Sequence, residues 1–102
     1  MRFSDSSLDR FIESLEKPII ARVLRTIDLL ERFGSDLGPP HAKKISANLF
    51  ELRVSGKQKV RIFYTFRRSE AILPHGFIKK SQRIPKRELE TAKKKIKTLD
   101  TI

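Results

Sequence analysis

Apolar side chains in the first third of the chain recur at the spacing of amphipathic helices. In SSLDRFIESLE, residues 6–16, they stand at positions i, i+3, i+4 and i+7, which predicts a helix capped by Ser6 or Ser7. Pro18 suits the first turn of a second helix, and Gly34 is typical of the residue that ends one. Two such helices in succession predict a helical hairpin.

Beyond residue 40 the period of the apolar positions changes to two. In the stretch ELRVSGKQKVRIFYTF, residues 51–66, apolar and polar side chains alternate on either side of a Ser-Gly turn, which predicts a β-hairpin. Residues 70–80 predict a further strand, in which Pro74 and Gly76 indicate an edge, a bulge or a bend. A short strand near Ala42–Ile45 would bring the number of strands to four.

The segment IPKRELETAKKKIKTL, residues 84–99, returns to helical spacing after Pro85. The predicted fold class is therefore α+β: an N-terminal helical hairpin, a three- to four-stranded antiparallel sheet and a C-terminal helix, in a single domain that spans residues 1–102. We expect the helices to lie on one face of the sheet. The other face, with Arg53 and Arg61, would then be open to water.

The distribution of charge adds a functional indication to this fold. The chain has 23 Lys and Arg against 12 Asp and Glu, a net charge of +11. Residues 1–40 hold six basic and seven acidic side chains, whereas residues 41–102 hold 17 basic and five acidic ones. The strand-rich part therefore carries the whole excess, as expected of a surface that meets phosphate or an acidic partner.

Residue types that are absent exclude several kinds of chemistry. There is no cysteine, so the sequence predicts neither a disulfide nor a thiolate nucleophile, and it predicts no metal site and no cofactor.

No apolar run of about 18 residues is present to span a membrane, and the start, MRFSDSSLDRF, lacks the apolar core of a secretory signal. We therefore expect a cytoplasmic protein.

The familiar catalytic motifs are also missing. No G-x-S-x-G sequence and no Gly-rich phosphate loop occur. The two histidines, His41 and His75, lie far apart without metal-ligating companions. His75 in its P-H-G context is more typical of a structural residue, but it is the one imidazole on the predicted sheet, so we keep it as a candidate proton carrier.

What remains is a concentration of Lys and Arg on the predicted sheet and just after it. Such groups suit phosphate, because Arg grips it bidentately and Lys acts as a compact charge. Phe63, beside Arg61, could stack a nucleobase or could simply pack beneath a loop, and the sequence does not decide between the two. The candidate catalytic residues are Arg53, Lys57, Arg61, His75, Lys79 and Lys80, and the candidate RNA- or ribosome-binding residues are Lys43, Lys44, Lys59, Phe63, Arg83, Lys86 and Arg87.

A basic site of this kind could cleave RNA without a metal. The reaction needs removal of the 2′-hydroxyl proton, stabilisation of the phosphorane and a proton for the leaving oxygen. Crowded positive charges lower the pKa of a lysine, which could then act as base or acid, and a neighbouring arginine would stabilise the developing charge. A surface that only binds nucleic acid would have the same composition.

Two strings carry a resemblance to a known family. LFELRVSGKQKVRIFYTF, residues 49–66, and ILPHGFIKKSQRIPKRELETA, residues 72–92, resemble the phage-derived HigB-like branch of the RelE/ParE toxin superfamily. The similar features are a strand with E-L-R, a G-K turn, R-I-F-Y, and then H-G-F-x-K-K and P-K-R-E-x-E-x-A. The resemblance covers roughly residues 10–97.

The resemblance implies the toxin of a type II toxin–antitoxin pair, with a RelE-like fold. Such toxins usually cleave messenger RNA without a metal, commonly on the ribosome, and are neutralised by an antitoxin, often a helix-turn-helix protein that binds operator DNA. Arg61 would then be the phosphate stabiliser, and Lys57 or Lys79 the proton carrier. Arg53 and Lys80 also match the family's basic pattern.

Two departures from the family pattern leave alternatives open. Members commonly begin with a strand before the first helix, and MRFS is too short to supply much of it, so the sheet could lack that strand. Some relatives use a C-terminal Tyr or His in catalysis, and nothing after Pro85 offers either. The alternatives are a gyrase inhibitor of the ParE type, or a decayed toxin homologue that only binds its antitoxin.

Overall fold

The structure is a computed structural model that describes residues 2–3 and 6–100, with the side chains of residues 6–99. Its elements follow the predicted order of two helices, a series of strands and a final helix. They are β1 (Arg2–Phe3), α1 (Ser7–Glu13), α2 (Lys17–Phe33), a 3₁₀ turn (Gly34–Asp36), β2 (Ala42–Ser46), β3 (Leu49–Val54), β4 (Val60–Arg67), β5 (Glu70–Ile78) and α3 (Lys86–Asp100). The α+β class is confirmed.

The strands form one sheet in the order β1-β5-β4-β3-β2. Strands β2 to β5 are an antiparallel meander, because short turns can join only antiparallel neighbours. The suggestion that the first strand is missing is wrong: β1 pairs in parallel with β5, with Arg2 opposite Ile72 and Phe3 opposite Leu73. Two residues are enough to cover part of the outer edge of β5.

The helices α1 and α2 cover one face of the sheet and form the main core with it. The apolar stripe of α2, which includes Val23 and Leu30, belongs to the same buried cluster as sheet residues such as Ile62. Helix α1 lies close to β5, so close that a Cβ atom added at Gly76 would stand 2.9 Å from Leu8 Cδ1. A side chain at position 76 would therefore force Leu8 or Phe11 to shift, which explains the glycine at this approach of helix to strand.

Helix α3 lies on the opposite face of the sheet, so the expectation that all helices share one face is wrong. A second apolar cluster forms beneath it from Leu49, Phe63, Phe77 and Ala92, joined by Ile45, Ile84, Leu89 and Ile96. The physical reason is that the apolar stripe of α3 needs a surface to cover, and alternate residues of β3, β4 and β5 provide one.

Two irregular features of the strands have local causes. Arg68 and Ser69 have φ angles of 51° and 65°, and they form the two-residue turn that links β4 to β5, where positive φ values match the twist of the strands. On β5, the register shifts between the pairs Phe63–His75 and Thr65–Ile72, which adds one residue to β5. The bulge that Pro74 indicated is thus present.

Candidate functional site

A basic groove opens where the β3–β4 hairpin and the segment after β5 extend past the cover of α3. Its volume is about 700 Å³. Six of its lining residues are cations, and the described residues that line it include no carboxylate. The lining consists of Arg53, Lys57, Gln58, Lys59, Arg61, Ile78, Lys79, Lys80, Ser81 and Gln82. We call this site the basic groove.

The hairpin register explains why the cations meet here. Arg53 and Arg61 are directly opposite partners on β3 and β4, so they lie on the same face of the sheet. The backbone N–H of Lys79 donates to the carbonyl of Lys59 at 2.7 Å, which extends the pairing of β4 and β5 past their ends and fixes the two walls side by side. Like charges opposite each other are destabilising unless a counter-charge lies near.

Glu51 supplies that counter-charge. Its carboxylate, with the residue only 2% exposed, lies 3.6 Å from Arg53 Nε and 3.8 Å from Arg61 Nε. Arg61 is itself 4% exposed and donates from Nη1 to the carbonyl of Val60 at 3.0 Å. Burial lowers the pKa of Arg61, the charge of Glu51 opposes that effect and the charge of Arg53 adds to it.

Three buried polar atoms at or near the groove make no hydrogen bond within the described part of the chain. Gln58 Oε1 and Arg61 Nε belong to lining residues, and Glu51 Oε2 belongs to the buried counter-charge, which does not itself line the groove. A buried polar atom without a partner costs about 1–3 kcal/mol. Because all three atoms are buried and two of them are acceptors, they add to the cost of the arrangement and offer no contact to a phosphate. The groups that a phosphate would meet first are the exposed cations of the lining, Lys57, Lys59 and Lys80.

The structure gathers most of the predicted catalytic residues and separates one of them. Arg53, Lys57, Arg61, Lys79 and Lys80 all line the basic groove, together with Lys59 from the RNA-binding candidates. His75 does not join them. Its Nε2 lies 2.8 Å from Glu88 Oε1, which ties β5 to the first turn of α3, and its side chain is 19% exposed.

The remaining RNA-binding candidates lie outside the groove. Phe63 is 0% exposed and packs against Phe77 beneath α3, so stacking of a base on it is excluded and the prediction is wrong. The residues Arg83, Lys86 and Arg87 are exposed just beyond the groove, whereas Lys43 and Lys44 line a separate pocket that also includes Arg53.

Sequence reasoning missed Glu51 and Gln58. In the sequence Glu51 is one of the polar residues that alternate with apolar ones along β3. The signal that could have found it is the hairpin register, because placing Arg53 opposite Arg61 calls for an anion within reach, and Glu51 is the one carboxylate of the hairpin. Gln58 carries no sequence signal beyond its place in the turn.

The described residues contain no group of three or more His, Cys, Asp or Glu that could hold a metal ion. Nor does any helix among them have the length and apolar character needed to cross a membrane.

Comparison with protein families identifies the relatives of this chain. Residues 10–97 match the family described as phage derived protein Gp49-like (DUF891), which is nearly the whole chain. The chain belongs to the Gp49-like family. This phage-derived family is toxin-like and related to the RelE/ParE-type toxins, so the relationship implied by the two strings holds at the level of the superfamily. No curated protein matches the Gp49-like chain significantly.

Proposed function

We propose that this Gp49-like protein is an RNA-cleaving toxin that binds the phosphates of messenger RNA in the basic groove. The observation that carries the proposal is the groove itself: six cations and no carboxylate among its described lining residues, on a chain of a toxin-like family. Cations collected at this density are costly to a small domain, and a polyanion offsets that cost.

In the proposed reaction the arginines act on the phosphate and the lysines move protons. Arg61, which lines the groove directly opposite Arg53, stabilises the phosphorane with the help of that residue. Lys57 or Lys79 removes the 2′-hydroxyl proton or protonates the leaving oxygen. His75 is held by Glu88 outside the groove, so it takes no part in the transfer.

The biological setting belongs to the same proposal. The protein acts in the cytoplasm on messenger RNA at the translating ribosome, as the toxin of a HigB-like toxin–antitoxin pair. Its partner is a neutralising antitoxin of the helix-turn-helix class, through which it reaches operator DNA indirectly. The exposed cations after the groove, Arg83, Lys86 and Arg87, extend the positive surface toward ribosomal RNA.

The test is cleavage of a defined messenger by the purified chain, with and without translating ribosomes. Arg61→Lys keeps the charge but loses the bidentate guanidinium, and Lys57→Ala and Lys79→Ala remove the proposed proton carriers. We expect a loss of about 10²–10⁴-fold in cleavage rate for the lysine that carries the proton. Lys94→Ala, an equal change of charge on the exposed side of α3, is the matched control and leaves cleavage intact.

Two results would contradict the nuclease. Absence of cleavage by a folded wild-type chain in both conditions would redirect the assignment to gyrase inhibition, tested by a supercoiling assay, or to antitoxin binding alone. Cleavage that survives Arg61→Lys and both lysine variants would place the active site elsewhere on the molecule.

A further inference from the structure

A second pocket adjoins the basic groove at the outer edge of the sheet. It has a volume of about 420 Å³, within the range of small-molecule sites. The loop before β2, the strand β2 and part of β3 enclose it. Its lining residues are Leu37, Gly38, Pro39, Ala42, Lys43, Lys44, Phe50 and Arg53. We call it the edge pocket.

The edge pocket combines an apolar wall with a cationic rim. Phe50 is partly buried, and its ring stacks on the buried ring of Tyr64 at a centroid distance of 5.2 Å, which holds it in a fixed orientation. Leu37 is likewise partly buried against the core. Lys43 and Lys44 are exposed on β2, and the described residues that line the pocket include no carboxylate.

Arg53 connects the edge pocket to the basic groove, because it lines both. Its backbone N–H donates to the carbonyl of His41 at 2.8 Å, which fixes the start of β2 against β3. Its side chain is 37% exposed and lies 3.6 Å from Glu51. Phe50 and Arg53 are three residues apart on β3, so their side chains project from opposite faces of the sheet. An RNA strand with a phosphate on Arg53 would therefore reach the edge pocket around the outer edge of the sheet at β2.

We propose that the edge pocket receives a nucleobase of the RNA strand whose phosphates occupy the basic groove. The inference rests on the proposed function and specifies its substrate as single-stranded RNA with one base turned out of the stack. A nucleotide matches this site in both parts: its flat base suits a fixed aromatic ring, and its phosphates suit the cations on either side. An aliphatic peptide would leave Lys43, Lys44 and Arg53 without counter-charges.

The experiment measures binding rather than cleavage. A short, fluorescently labelled single-stranded RNA is compared by anisotropy with a sugar–phosphate chain of the same length and charge that has no bases. The full chain and its Phe50→Leu variant are titrated with both at the same low salt concentration. We expect the variant to bind RNA about 5- to 30-fold more weakly and to bind the baseless chain as the wild type does.

Matched variants separate stacking from damage to the core. Phe66→Leu is the control, because Phe66 is also partly buried and packs edge-on against Phe50 and Tyr64, but does not line the edge pocket. It is expected to bind both probes as the wild type does. Leu37→Ala opens another part of the pocket and is expected to weaken RNA binding in the same direction, which keeps the test valid if Phe50→Leu proves unstable.

The outcomes distinguish this inference from the function on which it rests. Equal affinity of the wild type for both probes, or an equal loss for both in Phe50→Leu, would overturn the edge pocket as a base site while the groove stands. Failure of the wild type to bind either probe at low salt would overturn both the groove and the pocket.

Discussion

Replacement of Glu51 by Gln tests how the basic groove is stabilised. The substitution keeps the shape of the side chain and removes the negative charge that lies between two arginines. At distances of 3.6 and 3.8 Å, and with an effective dielectric constant of about 20, each attraction is about 4–5 kcal/mol before any offsetting effect. The variant also leaves the buried guanidinium of Arg61 without a counter-charge, and an unpaired buried charge is strongly destabilising.

Two effects reduce the net loss. The neutral amide avoids the desolvation cost of a buried carboxylate. Arg53 is also exposed enough for water to screen its attraction to Glu51. We therefore expect Glu51→Gln to lower the free energy of unfolding by about 2 kcal/mol, which corresponds to a fall in Tm of about 8–16 °C for a domain of this size. Thermal unfolding followed by circular dichroism measures both.

A second substitution identifies the cause of the loss. Arg53→Gln in the Glu51→Gln background removes the repulsion between the two opposed arginines, so the double variant should be more stable than Glu51→Gln alone. Glu90→Gln, the same change at an exposed position on α3, is the control and should alter stability by less than about 0.5 kcal/mol. The reasoning is refuted if Glu51→Gln is as stable as the wild type, or if the double variant is less stable still.

Three further predictions concern the core and the charge of the groove. Burial raises the pKa of Tyr64 to about 12, whereas the pKa of this side chain in the unfolded chain is near 10. About 2–3 kcal/mol of folding stability is therefore fully present below pH 10 and is lost as the pH rises through 12. Tyrosinate absorbance measures the titration directly because the chain has one tyrosine, and a titration midpoint near pH 10 in the folded protein would contradict the prediction. Gly76→Ala should lower the free energy of unfolding by about 1–3 kcal/mol, since its Cβ would stand 2.9 Å from Leu8 Cδ1. Gly38→Ala is the control and should be nearly neutral, because its Cβ would meet no atom within 4 Å. Equal losses of stability in the two variants would disprove this explanation. If all six lining cations meet phosphates, the slope of log affinity for single-stranded RNA against log salt approaches about −4, and a flat response would count against the groove.

The elements and most of the groove could be predicted from local patterns. The stripes of α1, α2 and α3 have helical spacing, and a hairpin register necessarily brings Arg53 beside Arg61 on one face. Lys79 joined them because β5 returns alongside β4. These are consequences of spacing along the chain and of pairing between consecutive strands, both of which the sequence contains.

The errors arose where one element covers another. The spacing predicts the apolar stripe of α3 but not the surface that it covers, so the sequence leaves Phe63 undecided between stacking on a base and packing beneath a loop. The sequence does contain an indication of a second buried face, because Phe63 and Phe77 are apolar residues on neighbouring strands. His75 is a candidate from sequence because it is the one imidazole on the predicted sheet. Its contact with Glu88 depends on how α3 docks, which no local pattern specifies.

The pair between His75 and Glu88 has a consequence for the groove that neither residue lines. The pair joins positions 13 apart at 2.8 Å and so closes the segment between them into a loop, which carries Lys79 and Lys80. A loop whose ends are already joined has given up much of its conformational freedom during folding. That entropy is not lost again on association. Variation in the affinity of this protein for a polyanion can therefore originate at a contact that the ligand never touches.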